Sequence, residues 1–475
     1  MIKLKKLVLP EPTESDRFNS IDPLDGRYFD PQIARYLSER SRISYYAHVE
    51  AALAQTLAEF GICSQAIADK IGVACQKVKV EEVYEQEKTT NHHTKALVNS
   101  IKNHLDDESK PFVHFGATSF DIVSSGEALQ LRDFTQQVIA PRLQELIQTL
   151  LTLTKTHADT VQIGRTHGQH AVPITFGFAI AEYVSRLGEN LLALQDLSNS
   201  LCGKFAGAVG AYNALNIFVD DPVKFEKTLL GHLGLQPAPY STQIVPPDGT
   251  IRLLDELTIS AGIMANLSHD MRHLQRTEIG EVRERFEKGQ AGSSTMAHKR
   301  NPWNFENVIS MHKQVLAQMV NANLNISSEH QRDLTDSASS RFYPVMLASV
   351  ASMADRLNRV MSKIEVDADN MQRNLTLTKG AIAAEPLYLL LEKYGHTEAH
   401  EVIKTLSQKA LASNISLADA IQKDEELSPF WQKFTDQEKQ LIEAPEKNYA
   451  GLAAKQAISI SRQWNSRLSK LNRKS

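Results

Sequence analysis

Apolar residues recur at helical spacing along most of this 475-residue chain, and alternating strand patterns are hard to find. The segment from Arg252 to Lys288 contains no proline. Within it Leu253, Leu257, Met264, Leu267, Met271 and Leu274 fall on one stripe, with Ser260 in the missing seat. The same alternation of four and three returns in Met346, Val350, Met353, Leu357 and Val360. Such stripes pack long helices side by side in near-parallel bundles, so the methionines are core residues rather than a cofactor box. A third helix is predicted from Trp303 to Leu324, just after Pro302. A fourth runs from Leu131 to His157, with Pro141 placed to kink it. A fifth spans Ile174 to Leu201, and Pro237–Gly249 gathers the prolines and glycines of an excursion between helices. Five long helices predict an elongated all-α bundle.

The flanks differ from this centre. Residues 1–115 carry shorter helices and more turns, an N-terminal helical domain. Residues 116–366 form the central long-helix bundle domain, and 367–475 a C-terminal helical domain with helices such as Pro386–Lys393 and Thr397–Ala412. Hydrophobic residues make up 42% of the chain and charged residues 23%, enough for a large core. A formal net charge of −4 argues against nucleic acid as a partner. The cysteines Cys63, Cys75 and Cys202 are odd in number and widely spaced, which suits a reducing compartment and matches no zinc spacing. The apolar run within Met1–Pro10 is too short for a secretory signal, and no segment is long enough to span a bilayer. A cytoplasmic protein with no membrane partner is expected.

The polar chemistry gathers in short clusters. The run Ala291-Gly292-Ser293-Ser294-Thr295-Met296-Ala297-His298-Lys299-Arg300-Asn301-Pro302 combines loop N–H groups, an ammonium and a helix start, a setting for negative charge in which a serine alkoxide could be stabilised. A solvated loop satisfying its own turns is the plainer alternative. Asp22-Pro23-Leu24-Asp25-Gly26-Arg27-Tyr28 is a turn ending in Arg and Tyr, and Thr89-Thr90-Asn91-His92-His93 sets two imidazoles beside an amide. His114-Phe115-Gly116-Ala117-Thr118-Ser119 precedes Asp121, where Thr118 and Ser119 equally suit a helix N-cap. Gly164-Arg165-Thr166-His167-Gly168-Gln169-His170 is a His-Gly turn before a long helix. Gln331–Arg341 holds Arg332 and Arg341 with hydroxyls between them, suited to phosphate or to a solvated linker. Adjacent His92 and His93 cannot both face one ion from a helix, and no HxxxH or HxxE pair accompanies them, so no metal is expected.

The Ser293 loop, with Lys299, Asn301 and Pro302, resembles the signature of the fumarase/aspartase superfamily, all-helical lyases that release fumarate. From Asp22 to about Arg341 the chain resembles its adenylosuccinate lyase family, on Asp25–Tyr28, Thr90–His92, Thr118-Ser119, Arg165–Gln169, Gly207–Asn213, Ser241–Gln243 and Arg332–Arg341. The resemblance implies a three-domain fold and a β-elimination on a succinylated purine nucleotide, with no cofactor. Ser293 would be the general base and His167 the general acid. Lys299, Asn301 and the loop N–H groups would stabilise the aci-carboxylate. A serine is a poor base unless that field lowers its pKa on loop closure, with Gly289 and Gly292 letting the loop move. Arg27, Tyr28, Arg332, Ser337 and Arg341 would surround the nucleotide and its phosphate. Thr118, Ser119, Gln243, Ser294, Lys299 and Asn301 would hold the carboxylates or the base. Asn91, His92, His93, His114, Arg300 and Asn307 complete the implied substrate-binding set, with Glu306 beside His167 or its neighbours. The resemblance also implies a homotetramer whose active sites are shared between subunits.

Two positions depart from the family pattern. His93 stands where an Asp is usual after Asn-His, and an imidazole offers His92 no fixed negative charge. Ala297 replaces the usual Pro after Met296, which raises the entropic cost of ordering the loop. A paralogous lyase for another N-succinyl compound and a non-catalytic protein that keeps the fold are the competing readings. Arg332, Ser337 and Arg341 speak against the first; Ser293, His167 and Lys299 speak against the second.

Overall fold

The structure, a computed structural model, describes residues 21–286, 289, 295, 296 and 298–471. All five long helices are present among them: Ala140–Thr156, Phe176–Asn199, Asp248–Leu274, Trp303–Leu324 and Tyr343–Met361. The described chain divides into two compact units. One is formed by the described residues within Met1–Arg142, Asn190–Gly262 and Met311–Ala354; the other by those within Leu143–Glu189, Ile263–Ser310 and Asp355–Ser475. The divisions fall inside the long helices, so each unit has its own set of neighbouring helix segments. In the first, the Arg142 guanidinium donates to the Ala351 carbonyl at 3.4 Å and the Asn190 amide to the Glu256 carbonyl at 3.0 Å. In the second, Thr149 donates to Asn358 at 2.6 Å and Arg186 to Asn266 at 2.8 Å.

The predicted stripes are core. Leu253, Leu257, Met264, Leu267 and Met271 are buried, as are Met346, Val350, Met353 and Leu357. Ser260 is also buried, and its hydroxyl donates to the Asn190 side-chain oxygen at 2.5 Å, so the polar seat in the stripe is satisfied rather than empty. In the second unit Leu387, Leu391, Ile403, Leu417, Ile421 and Trp431 form the apolar centre of the short C-terminal helices Ala384–Lys393 and Ala399–Ala412 and the segments that follow.

Two helix boundaries differ from the sequence reading, and a few short strands accompany the helices. The helix predicted from Arg252 to Lys288 stops at Leu274. Gly280 takes φ +61°, and the Glu281 N–H turns back to the Leu274 carbonyl at 2.9 Å, so a left-handed glycine ends the element where no proline does. The helix around Pro141 begins earlier, at Ser119, and passes through a π-helical turn at Thr135–Ile139 before Ala140–Thr156. The Ala140 N–H reaches back five residues to the Thr135 carbonyl. Proline lacks an N–H and crowds the carbonyl four residues behind it, and the wider turn next to it accommodates that defect. Strands are also present. Val161–Thr166 (β1) and Gln169–Thr175 (β2) pair as an antiparallel hairpin with an irregularity between Ile163 and Arg165. Among the described residues no helix is long and apolar enough to cross a membrane.

Candidate active site

His167 sits at the tip of the β1–β2 hairpin. His167 and Gly168 are its two turn residues, at φ +54° and +75°, the signature of the primed turns that match strand twist. The imidazole is therefore presented outward from a short, fixed arm, and it is exposed. Two residues earlier, Arg165 forks onto the buried carboxylate of Glu281, with Nη2 to Oε1 at 2.5 Å and Nη1 to Oε2 at 3.1 Å. Gln162 and Asn374 donate to the same carboxylate, each at 2.7 Å.

Glu281 opens the segment that leads to the serine loop, and the two ends of that segment are clipped together. Glu284, buried, accepts the Asn304 and Phe305 N–H groups at 3.0 and 3.1 Å and the Asn304 side-chain amide at 2.7 Å. Gln275 bridges both ends: its amide donates to the Arg300 carbonyl at 3.2 Å, and its oxygen accepts the Glu284 N–H at 2.9 Å. Burial raises the Glu284 pKa, against the donors that lower it. These contacts correct one part of the sequence argument. The first N–H groups of helix Trp303–Leu324 are already occupied by a carboxylate, so the helix start is not open to a substrate anion. The cations left beside it are Lys299 and Arg300, both exposed. Asn301 is half-buried beside them, and exposed Glu306 accepts Arg272 Nε at 3.2 Å. Asn307 follows on the same helix, half-buried. Ser293, Ser294, Gly292 and Ala297 lie outside the described residues.

In the other unit, four segments meet at the start of helix Ser119–Phe134. Thr118 and Asp121 form a capping box, with the Thr118 N–H donating to Asp121 Oδ2 at 2.9 Å. Asp121 Oδ1 accepts the ammonium of Lys204 and the N–H groups of Ala206 and Gly207 at 3.1 and 3.2 Å. Asp121 and Lys204 are both fully buried. The loop they hold is closely seated: a Cβ on Gly210 would fall 2.0 Å from the Ser241 carbonyl oxygen. The Gln243 N–H donates to the Gln331 carbonyl at 3.1 Å, and the Arg332 guanidinium lies 5.3 Å from the centre of the Phe120 ring. Thr118, Ser119, Gln243 and Arg332 are thus brought into one neighbourhood. Arg332 is not a free phosphate fork, however. Its guanidinium is engaged by Asp336 and its side chain is nearly buried. Ser337 and Arg341 are exposed, as is Arg27, while Tyr28 is half-buried.

The histidines part company. His92 caps helix His93–Asn103, its Nδ1 accepting the Lys95 N–H at 3.2 Å, with Asn91 in the left-handed conformation ahead of it. His93 turns inward, edge-on to Tyr46 at 5.9 Å, with Nε2 3.7 Å from Glu39. A carboxylate is therefore present beside His93 rather than at position 93 itself. Burial acts to raise the Glu39 pKa, but His93 and Arg42 outweigh it and hold it at about 2. His114, at φ +62°, places both its N–H and its Nδ1 on buried Glu50, at 3.1 and 2.6 Å. Burial lowers the His114 pKa, yet the Glu50 carboxylate prevails and raises it. Among the described residues no group of His, Cys, Asp and Glu could hold a metal ion. Glu281, Glu284, Glu50 and the Asp121–Lys204 pair escape a reading of the sequence. The acids of Gly280-Glu281-Val282-Arg283-Glu284 look like solvated helix positions until the helix is known to have ended.

A family model described as Lyase matches residues 27–317, and one described as Adenylosuccinate lyase C-terminal matches residues 328–441. The adenylosuccinate lyase of Pyrococcus abyssi is 37% identical over 416 residues, covering 86% of this chain and 91% of that protein. That of Archaeoglobus fulgidus is 33% identical over 452 residues, covering 94% and 99%. Among solved structures, the 3-carboxy-cis,cis-muconate lactonizing enzyme from Pseudomonas putida aligns with a TM-score of 0.82 at 28% identity, over 94% of this chain and 100% of that one. A fumarate lyase from Mesorhizobium sp. BNC1 aligns at 0.81 with 22% identity, over 91% and 97%, a likeness of fold alone.

Proposed function

Because the chain belongs to the adenylosuccinate lyase family and has the all-α fold of the fumarase/aspartase superfamily, we propose that it eliminates fumarate from adenylosuccinate, leaving AMP. The same elimination on the succinylated carboxamide ribotide of purine synthesis (SAICAR to AICAR) belongs to this reading. The pairing of two matches on one chain carries it: the general lyase model and, after it, the adenylosuccinate lyase C-terminal model.

In the reaction Ser293 removes a proton from the β-carbon of the succinyl group, and the electron pair is held on the adjacent carboxylate as an aci-carboxylate. Lys299, Asn301 and loop N–H groups stabilise that doubly charged group. The pair then forms the double bond of fumarate as the C–N bond breaks, and His167 protonates the departing nitrogen. The outward presentation of His167 at a hairpin tip supports its role as acid. Arg27, Tyr28, Ser337 and Arg341 take the nucleotide and phosphate. Arg332 contributes through the Asp336 pair and Phe120 rather than as a free fork. Thr118, Ser119, Gln243 and Ser294 take the carboxylates or the base, with Asn91, His92 and His114 around them. The enzyme works in the cytoplasm as a homotetramer with shared active sites.

Fumarate release from adenylosuccinate by the purified protein tests the reading, beside Ser293→Ala and His167→Ala. Each substitution is expected to lower kcat by roughly 10²–10⁴-fold. Activity that survives Ser293→Ala overturns the base assignment but keeps the reaction. No release by the parent overturns the function.

A further inference from the structure

The buried Glu281–Arg165 pair has no part in the elimination as written, yet it joins the hairpin that carries His167 to the chain that leads to the serine loop. A carboxylate offers about four acceptor sites, and here all are used. Oε1 takes Arg165 and Asn374, and Oε2 takes Arg165 and Gln162. The Glu281 backbone is fixed as well, its N–H to the Leu274 carbonyl and its carbonyl to the Asp367 N–H, each at 2.9 Å. The side chain is thus a rigid post.

The hairpin needs such a post. Its base is held by a small apolar cluster of Ile163, Leu375 and Ile382, with Val161 against it. Beyond Ile163 the register is broken, and the tip residues Thr166 to Gln169 are exposed. Arg165 is the last anchored side chain on β1 before His167, and its fork fixes both direction and roll. His170 stands opposite Arg165 on β2, and its pKa is lowered, first by burial and then by the Arg165 charge, against the pull of Glu281.

We propose that Glu281, acting through Arg165, is a positioning residue for His167 in the elimination. This rests on the lyase reading and on His167 as the acid. Misplacement of a reacting group by about 1 Å costs on the order of 10²-fold in rate. Glu281→Gln is therefore expected to lower kcat by about 10–10²-fold while KM moves less than about threefold. Glu281→Asp, which keeps the charge, recovers part of that loss. In the His167→Ala background Glu281→Gln costs nothing further, because its effect runs through the missing imidazole. Amide exchange read by mass spectrometry should quicken in peptides covering 161–175 and 281–286 and stay unchanged elsewhere. Should Glu281→Gln fail to fold, Arg165→Lys, which loses the fork but keeps the charge, is expected to give the same kinetic pattern.

Additive losses in the double variant, a change carried by KM alone, or unchanged exchange in 161–175 each overturn the proposal. Full activity in His167→Ala overturns it by removing its target, while leaving the lyase reading intact. A parent that releases no fumarate overturns both; faster exchange confined to 161–175 and 281–286 would then show that the anchor itself is real.

Discussion

At the scale of single residues, the charges that hold the backbone around the candidate site are buried and already paired. Lys204 and Asp121 have no access to water, and Asp121, which with Thr118 caps helix Ser119–Phe134, also accepts the Ala206 and Gly207 N–H groups. Removing one partner of such a pair strands the other, which typically costs about 3–5 kcal/mol. Lys204→Met is expected to lower the melting temperature by that measure, read by calorimetry, and Lys204→Met with Asp121→Asn to recover part of it. An unchanged melting temperature in the single variant would show the pair to be dispensable. His114 and Glu50 carry a pH signature. The His114 pKa is raised above its ordinary 6.5, so the stabilisation from the pair is full below that value and fades as pH rises through the raised one. In Glu50→Gln, burial outweighs the smaller opposing pull of Asp121, and the His114 titration followed by NMR should move below 6.5. The stability lost should be larger at about pH 6 than at about pH 8. A loss equal at both would place the effect in packing rather than charge.

At the scale of elements, close approach decides what the hydrophobic pattern leaves open. The N-terminus of helix Phe176–Asn199 lies against the end of Ala140–Thr156, where the Gly177 N–H donates to the His157 carbonyl at 2.9 Å. A Cβ on Gly177 would lie 2.4 Å from the Thr154 carbonyl oxygen and 2.7 Å from the Ala158 nitrogen, and backbone atoms cannot swing aside. Gly177→Ala is expected to destabilise the protein by about 1–3 kcal/mol, seen as a lower denaturation midpoint with unchanged slope. A neutral outcome would mean that the helix shifts at little cost. The hairpin carrying His167 belongs to the same scale. Its strands read Val-Gln-Ile-Gly-Arg-Thr and Gln-His-Ala-Val-Pro-Ile-Thr. The alternation is broken at Gly164, and proline sits in β2, so a period of two is masked. Only the His-Gly pair, both residues at positive φ, marks the turn.

At the scale of the whole molecule, one apolar row on a long helix stays open. Leu316, Val320 and Leu324 recur every four residues on helix Trp303–Leu324 and are 45%, 61% and 70% exposed, and Ile259 on Asp248–Leu274 is 51% exposed. A spaced row of this kind favours burial against another surface, which supports the proposed assembly. Light scattering at micromolar concentration is expected to give about four times the 53.0 kDa chain mass. Val320→Asp is expected to shift the protein to smaller species and to lower fumarate release with it. A monomeric parent with full activity would overturn the shared-site part of the reading.

The long helices, their buried stripes and the chemistry of the motifs are legible in the residues alone. Periodicity and residue type are local properties, and Leu253 to Met271 or Met346 to Leu357 carry them without reference to the rest of the chain. Tertiary structure alone decided which charges are available. Glu284 occupies the start of the helix that follows Lys299, Asp336 holds Arg332, and Glu39 stands beside His93. Glu281 and Arg165 are 116 residues apart in the chain, yet form a two-pronged bond. Carboxylates and guanidiniums look alike in a sequence whether they face water or each other. Their roles are set by the partner that folding brings within about 3 Å.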